Sequence, residues 1–121
     1  MANLPKRMIA QTPSHARSRQ QEQETAKRTG GRQTPRSGAG LTKGDVRLTG
    51  VARIEDKTTK YDSFSVNSEH IRKLENAVAG TTEIPIMKVE LHLGAVEFFV
   101  IPGLYFEQVM DIIRSATENT D

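Results

Sequence analysis

The feature that most constrains the fold is the order in which strand-like and helix-like patterns alternate along the chain. Residues 46–59 are rich in β-prone side chains and contain Gly50, which predicts a hairpin that turns at this glycine. Residues 63–66 are expected to extend the sheet, and residues 84–91 and 95–101 form a second pair of predicted strands. The sequence therefore predicts an α/β domain of order helix, hairpin, helix, hairpin, helix, with a mixed central sheet and flanking helices.

Three helices are predicted from helix-forming composition and apolar spacing. The first covers residues 19–28 and ends at a Gly-Gly pair. The second places Ile71, Leu74 and Val78 on one side, so we expect it to cover one face of the sheet. The third covers residues 104–116, and its apolar surface is wide enough to pack on the sheet or on a partner.

Length and composition indicate one small domain. The chain has 121 residues, which is enough for a single core. Residues 1–18 read as a basic, disordered arm, residues 19–117 as the folded domain and residues 118–121 as a polar tail. The sequence has no cysteine, which excludes disulfides and thiolate metal sites and fits a reducing interior. No apolar run is long enough to cross a bilayer, so no membrane partner is expected.

Charge is divided unevenly between the two halves of the chain. Residues 1–60 contain 13 Lys and Arg against 5 Asp and Glu, whereas residues 61–121 contain 4 against 10. A positive field around an acidic centre suits a polyanionic ligand such as nucleic acid. The other interpretation of the same asymmetry is a solvated basic tail that has no partner.

Asp45, Glu55 and Lys57 have the charges that phosphodiester cleavage requires. Side chains two apart on a strand project from the same face, so Glu55 and Lys57 should point together and Asp56 the other way. A two-residue turn would place Asp45 opposite Ile54, whereas a three-residue loop or a bulge would place it opposite Glu55. Only the second register brings the two acids together. We therefore expect an odd loop or a bulge, with a glycine in the left-handed conformation.

A divalent cation would relieve the repulsion between two neighbouring carboxylates. Oxygen ligands with open water positions suit Mg²⁺ or Mn²⁺, and the expected ligands are Asp45, Glu55 and the backbone carbonyl of Asp56. Lys57 would position the attacking water or bind the phosphate. The three histidines are dispersed and do not indicate a zinc site. The alternative is an exposed hairpin in which Asp45 only supports a turn and Glu55 and Lys57 form a weak surface pair.

Five short motifs surround these residues. They are Glu22-x-Glu24, Gly30-Gly31-Arg32, Pro35-Arg36-Ser37-Gly38-Ala39-Gly40, Lys43-Gly44-Asp45-Val46 and Glu55-Asp56-Lys57-Thr58-Thr59. In this order they resemble the PD-(D/E)XK nucleases, and most closely the archaeal and phage Holliday-junction resolvases. The resemblance implies a restriction-endonuclease-like core and a Mg²⁺-dependent endodeoxyribonuclease that acts on four-way or other branched DNA as a homodimer. The active centre that it implies consists of Glu22, Asp45, Glu55 and Lys57.

The sequence differs from the family's motif at one position, and two residues are candidates for the helix acid. Gly44 replaces the proline of the motif name, which costs only backbone rigidity. The helix acid is Glu22 or, as the alternative, Glu24. No added recognition domain is expected in so short a chain, which favours selection of DNA by its structure over selection by its sequence. The residues expected to contact DNA are Arg32, Arg36, Ser37, Lys43 and Arg47.

Three other functions stay open at this level. The chain could be a non-catalytic nucleic-acid-binding protein on a nuclease-like scaffold, or a small adaptor that binds proteins through its acidic half. It could also be a nuclease of the same family with flap or nicking specificity. The resemblance to resolvases implies a cytoplasmic location in a bacterium or a phage-infected host.

Overall fold

The computed structural model describes residues 13–33 and 46–119, and these residues form five β-strands and three α-helices. The helices are α1 Pro13–Thr29, α2 Ser68–Ala77 and α3 Phe106–Glu118. The strands are β1 Arg32–Gln33, β2 Val46–Leu48, β3 Ala52–Thr58, β4 Ile84–Leu91 and β5 Val96–Val100. Short 3-10 turns occupy His92–Gly94 and Gly103–Tyr105.

The strands form one mixed sheet in the order β1-β2-β3-β4-β5. Neighbours are antiparallel except β3 and β4, which are parallel and are joined by the crossover helix α2. The expected α/β domain with a mixed sheet and flanking helices is therefore confirmed. The sequence pattern did not indicate β1, because two residues are too few to show a strand period.

The β2–β3 hairpin has the register that the candidate site requires. Leu48 lies opposite Ala52, which leaves a three-residue loop at positions 49–51. Gly50 has a φ of 80°, in the left-handed region that favours glycine. The expected odd loop is confirmed. Asp45, the residue that this register was expected to bring to Glu55, lies outside the described residues.

The two faces of the sheet are covered by different chemistry. On one face, α2 packs Leu74 against Met87 and Val89 of β4, and all three side chains are buried. On the other face, α1 covers the sheet with polar side chains, of which Gln21 and Thr25 are buried. The partly buried side chains that complete the apolar cluster on the α2 face are Phe64, Leu91, Phe98 and Val100.

Helix α1 begins earlier than the sequence pattern predicts. It starts at Pro13, so the prediction of a disordered arm is wrong for residues 13–18. The physical reason is tertiary: the Arg17 guanidinium donates two hydrogen bonds to the Glu90 carboxylate on β4, at 2.6 and 2.7 Å. Residues 1–12 of the predicted arm lie outside the described residues.

One expectation next to α2 also differs from the structure. Residues 63–66 form no strand, because Phe64 packs against the apolar cluster instead of joining the sheet. Helix α3 has no buried residue, so of the two expected packing modes, on the sheet or on a partner, the second stays a prediction. The exposed apolar side chains of this region, called here the β5–α3 apolar group, are Val96, Phe99, Ile101, Leu104, Phe106, Met110, Ile112 and Ile113.

Candidate active site

Glu55 and Lys57 project from the same face of β3, as the strand period predicts. Lys57 Nζ lies 3.9 Å from Glu55 Oε2, and the two side chains are only 17% and 25% exposed. In the parallel ladder Glu55 is beside Met87 and Lys57 is beside Val89, and both β4 side chains are fully buried. The ion pair therefore lies at the margin of the apolar core, where reduced hydration strengthens electrostatic interactions. This setting differs from the fully exposed pair of the alternative interpretation.

The Asp56 side chain points to the opposite face of the sheet, under α1. It is buried, and Thr25 Oγ1 donates to Asp56 Oδ1 over 3.1 Å. Loss of hydration on burial raises the pKa of Asp56 to about 7, and the nearby charges of Glu22 and Glu90 act in the same direction. Asp56 Oδ2 has no hydrogen-bond partner among the described residues. The side chain is thus separated from Glu55 by the sheet itself.

The backbone carbonyl of Asp56 points in a different direction from its side chain. The Thr59 N–H donates to the Glu90 carbonyl over 3.0 Å, so the backbone groups of the odd-numbered residues of this strand face β4. Because carbonyl directions alternate along a strand, the Asp56 carbonyl is directed to the β2 side. The last described pair of the β2–β3 ladder is Val46 with Ile54, so this carbonyl lies two residues beyond it. The position suits the backbone ligand that the sequence predicts.

Of the two candidate helix acids, Glu22 is the buried one. Glu22 is 4% exposed on α1 and close enough to Asp56 for its charge to raise the pKa of that carboxyl. The side chain of Glu24 is 47% exposed and pairs with Arg17 at 2.9 Å, and this hydrogen bond lowers the pKa of Glu24. Helix α1 lies on the Asp56 face, opposite Glu55. Convergence of Glu22 with the Glu55 face therefore stays a prediction.

A buried ionic cluster under α1 was not anticipated from the sequence. Arg17 is bonded to Glu90, and Lys88 Nζ lies 3.5 Å from Glu90 and 3.6 Å from Glu97. Lys88 Nζ also lies 3.1 Å from Thr25 Oγ1, which links this cluster to Asp56. The sequence pattern that indicates this cluster is the placement of Lys88 and Glu90 two residues apart in a mainly apolar strand. Residues two apart share one face, so this pattern indicates buried polar side chains on that face of the sheet.

Arg47, one of the five predicted DNA contacts, is part of the hairpin's own structure. Its Nε donates to Glu83 Oε2 over 2.8 Å. The same carboxylate oxygen accepts the Gly50 amide at 2.9 Å, and this backbone hydrogen bond is the main reason that the pKa of Glu83 is lowered. Arg32 is exposed on β1. The predicted contacts that lie outside the described residues are Arg36, Ser37 and Lys43.

The donor chemistry of this region is compatible with a hard cation. Glu55 supplies a half-buried carboxylate and Asp56 a backbone carbonyl on the neighbouring position, and both are oxygen donors. Across residues 13–33 and 46–119, no three His, Cys, Asp or Glu side chains are grouped closely enough to hold a metal. His70 is used to cap α2 with Asn67. Of the metal ligands that the sequence predicts, the described residues thus include two oxygen donors on β3.

Comparisons with protein-family models, with curated proteins and with solved structures gave no match. Within the described ranges, no helix combines the length and the apolar character needed to cross a membrane. The functional interpretation therefore depends on the geometry of β3 and on the motifs of the sequence.

Proposed function

We propose that this protein is a metal-dependent endonuclease that hydrolyses DNA phosphodiester bonds on a PD-(D/E)XK-type, restriction-endonuclease-like core. The element order supports this proposal. A helix precedes three antiparallel strands, and a crossover helix then leads to a fourth strand parallel to the third. The Glu-x-Lys segment lies on that third strand, β3, which is the second strand of the hairpin that the sequence predicts.

The observation that carries the proposal is the Glu55–Lys57 pair at the margin of the core. An acid and an amine 3.9 Å apart on one strand face provide an oxygen ligand and a phosphate-binding charge side by side. The three-residue loop of the β2–β3 hairpin is the register under which Asp45 would join them. Asp45 is thus the proposed third member of the centre.

The proposed metal ligands are Asp45, Glu55 and the backbone carbonyl of Asp56. When bound there, Mg²⁺ or Mn²⁺ would acidify a water molecule and stabilise charge on the phosphate. Lys57 holds its ammonium beside the Glu55 carboxylate, where it can bind a non-bridging phosphate oxygen. Glu22 is the helix acid that the resemblance implies, but α1 covers the sheet face opposite Glu55, so no contact with the water is assigned to it.

Branched DNA, such as a four-way Holliday junction, is the proposed substrate. The basic half of the chain supplies charge for several phosphates, and Arg32 is exposed next to β2. Arg36, Ser37 and Lys43 are the other proposed contacts. Arg47 is assigned to the Glu83 contact and not to DNA.

A second copy of the chain is the proposed protein partner. The β5–α3 apolar group exposes eight large apolar side chains, including Leu104 at 75% and Phe106 at 58%. Contiguous exposed apolar patches mark association surfaces, and the proposed one is centred on α3, because Val96 and Phe99 project from opposite faces of β5. A homodimer would present two centres to the two strands of a symmetric junction.

The test is cleavage of a synthetic four-way junction and of a linear duplex, each with Mg²⁺ or with EDTA. We expect the wild-type protein to cleave the junction with Mg²⁺ and not with EDTA. The cleavage rate should fall by about 100-fold or more in Asp45→Asn and in Lys57→Ala. Equal cutting by the wild-type protein and both variants would refute the proposal. Binding without cutting by the wild-type protein would favour the non-catalytic nucleic-acid-binding alternative.

A further inference from the structure

Tyr61 is an exposed aromatic side chain just beyond the candidate centre. It lies three residues after the end of β3 and four residues after Lys57, and it is 63% exposed. Four residues span at most about 14 Å, so the ring is within reach of a nucleotide adjacent to one held at Lys57. The exposed ring of Phe106 belongs to the β5–α3 apolar group, and the ring of Phe99 is covered on one face by the Arg28 guanidinium of α1, 5.9 Å from its centroid. Tyr61 therefore needs a separate explanation.

The backbone that carries Tyr61 is fixed by the turn between β4 and β5. The His92 N–H donates to the Tyr61 carbonyl at 3.0 Å, and the Leu93 N–H donates to the Thr59 carbonyl at 2.9 Å. The Tyr61 N–H donates to Thr59 Oγ1 at 3.2 Å. The exposed ring is thus mounted on a braced segment and not on a loose loop.

The turn that braces this segment has an unfavourable conformation. His92 and Leu93 have φ values of 50° and 54°, a region that residues with a Cβ rarely adopt. Gly94 follows, and a Cβ at that position would lie 2.9 Å from the Arg17 guanidinium. Both strained residues donate their amides to the Thr59–Tyr61 segment. The strain is therefore coupled to holding Tyr61 in place.

Lys60 places a cation over one face of the ring. Its Nζ lies 5.3 Å from the centroid of Tyr61, so the opposite face is the one proposed for stacking. A flat aromatic face suits stacking of a nucleobase, and an adjacent ammonium suits its phosphate. A base stacks on an aromatic side chain only when it is free of its neighbours in the duplex, which is the condition at a branch point or a fork.

We propose that Tyr61, with Lys60, is a stacking platform for an unpaired or unstacked base next to the phosphate held at the candidate centre. This inference rests on the proposed nuclease function and adds to it the source of selectivity for branched over linear DNA. Continuous duplex has no free base at this position and gains nothing from the ring.

The test uses a forked DNA with 2-aminopurine at the fork and a matched linear duplex, both in EDTA so that no cutting occurs. Tyr61→Ala removes the ring, and Tyr61→Phe retains it as the matched control. We expect wild type and Tyr61→Phe to quench the fork fluorescence and to bind with the same Kd within about two-fold. Tyr61→Ala should not quench and should bind the fork about 10-fold more weakly, with unchanged duplex affinity.

The outcomes separate this inference from the nuclease proposal. If Tyr61→Ala binds and quenches the fork as wild type does, the platform is overturned, whether or not the wild-type protein cuts the junction with Mg²⁺. If quenching depends on the ring but the wild-type protein does not cut, the platform stands and the nuclease proposal fails. Because Tyr61 is exposed and its bonds are made by the backbone, both variants should keep the wild-type thermal melting curve.

Discussion

The two faces of the sheet are stabilised in different ways. The α2 face is an apolar cluster around Leu74, Met87 and Val89. Its stabilisation is non-directional and grows with the apolar area that is buried. The α1 face also buries the apolar side chains Val46 and Ile54, and it adds an ionic and hydrogen-bonded cluster around Lys88 and Glu90, whose energy depends on geometry and charge. Glu55 and Lys57 of β3 therefore lie at the margin of the α2 face. The contacts on the α1 face hold α1, the helix that carries Glu22, against the other side of the sheet.

The largest effect on stability is expected on the apolar face. Leu74→Ala should lower the free energy of unfolding by about 3 kcal/mol, because it leaves a cavity between α2 and β4. Urea titration measures this loss. Val51→Ala, at a position that is 60% exposed in the β2–β3 loop and outside the β5–α3 apolar group, is the control and should change the value by less than about 0.5 kcal/mol. Equal losses in the two variants would contradict the assignment of the core.

Breaking the ionic cluster should detach the other helix. Glu90→Gln removes the charge that faces Lys88 and Arg17 and should cost about 2 to 3 kcal/mol, since Arg17 keeps Glu24 as a partner. Native-state hydrogen exchange should then accelerate in α1 and not in α2. Arg72→Gln, which breaks the exposed Arg72–Glu69 pair, should leave both helices unchanged. Uniform acceleration in α1 and α2 would remove the distinction between the faces.

A smaller effect is expected from the protonation of Asp56. Its pKa is raised to about 7 in the folded state, so the folded protein binds this proton more tightly than the unfolded chain does. The contribution of this proton to the free energy of unfolding is fully present below the ordinary pKa of an aspartate, and it is lost as the pH rises through about 7. Between pH 5 and pH 8 the loss is about 2 kcal/mol.

Asp56→Asn tests this contribution because the amide keeps an oxygen for Thr25 and cannot ionise. The variant should lose less stability than wild type between pH 5 and pH 8, by the same amount of about 2 kcal/mol in urea titrations. The carboxylates with lowered pKa values, Glu24, Glu83 and Glu97, are common to both proteins and cancel in the difference. Parallel pH profiles would show that Asp56 is ionised in the folded state.

Local sequence signals predicted the elements whose stability is local. The strand Ile84–Leu91 has the predicted bounds, and the three-residue loop with Gly50 followed from the geometry that the two acids require. The shared face of Glu55 and Lys57 followed from the strand period alone. These features depend on residues that are neighbours in the sequence.

The features that were missed depend on contacts between distant parts of the chain. The early start of α1 depends on Arg17 and Glu90, which are 73 residues apart. The face on which Glu22 lies depends on how α1 is rotated against the sheet, and a polar helix gives no apolar stripe from which to infer that rotation. Phe64 was assigned to a strand because its β propensity is high, but packing against the apolar cluster under α2 decided its place.

The most direct test of the central claim compares Glu55→Gln with Asp56→Asn. The two residues are adjacent on β3 and point to opposite faces, and both changes replace a carboxylate by an amide of the same shape. In single-turnover cleavage of a four-way junction with Mg²⁺, Glu55→Gln should reduce the rate by about 100-fold or more, and Asp56→Asn by less than about three-fold. Similar rates in the two variants, or a larger loss in Asp56→Asn, would contradict the account.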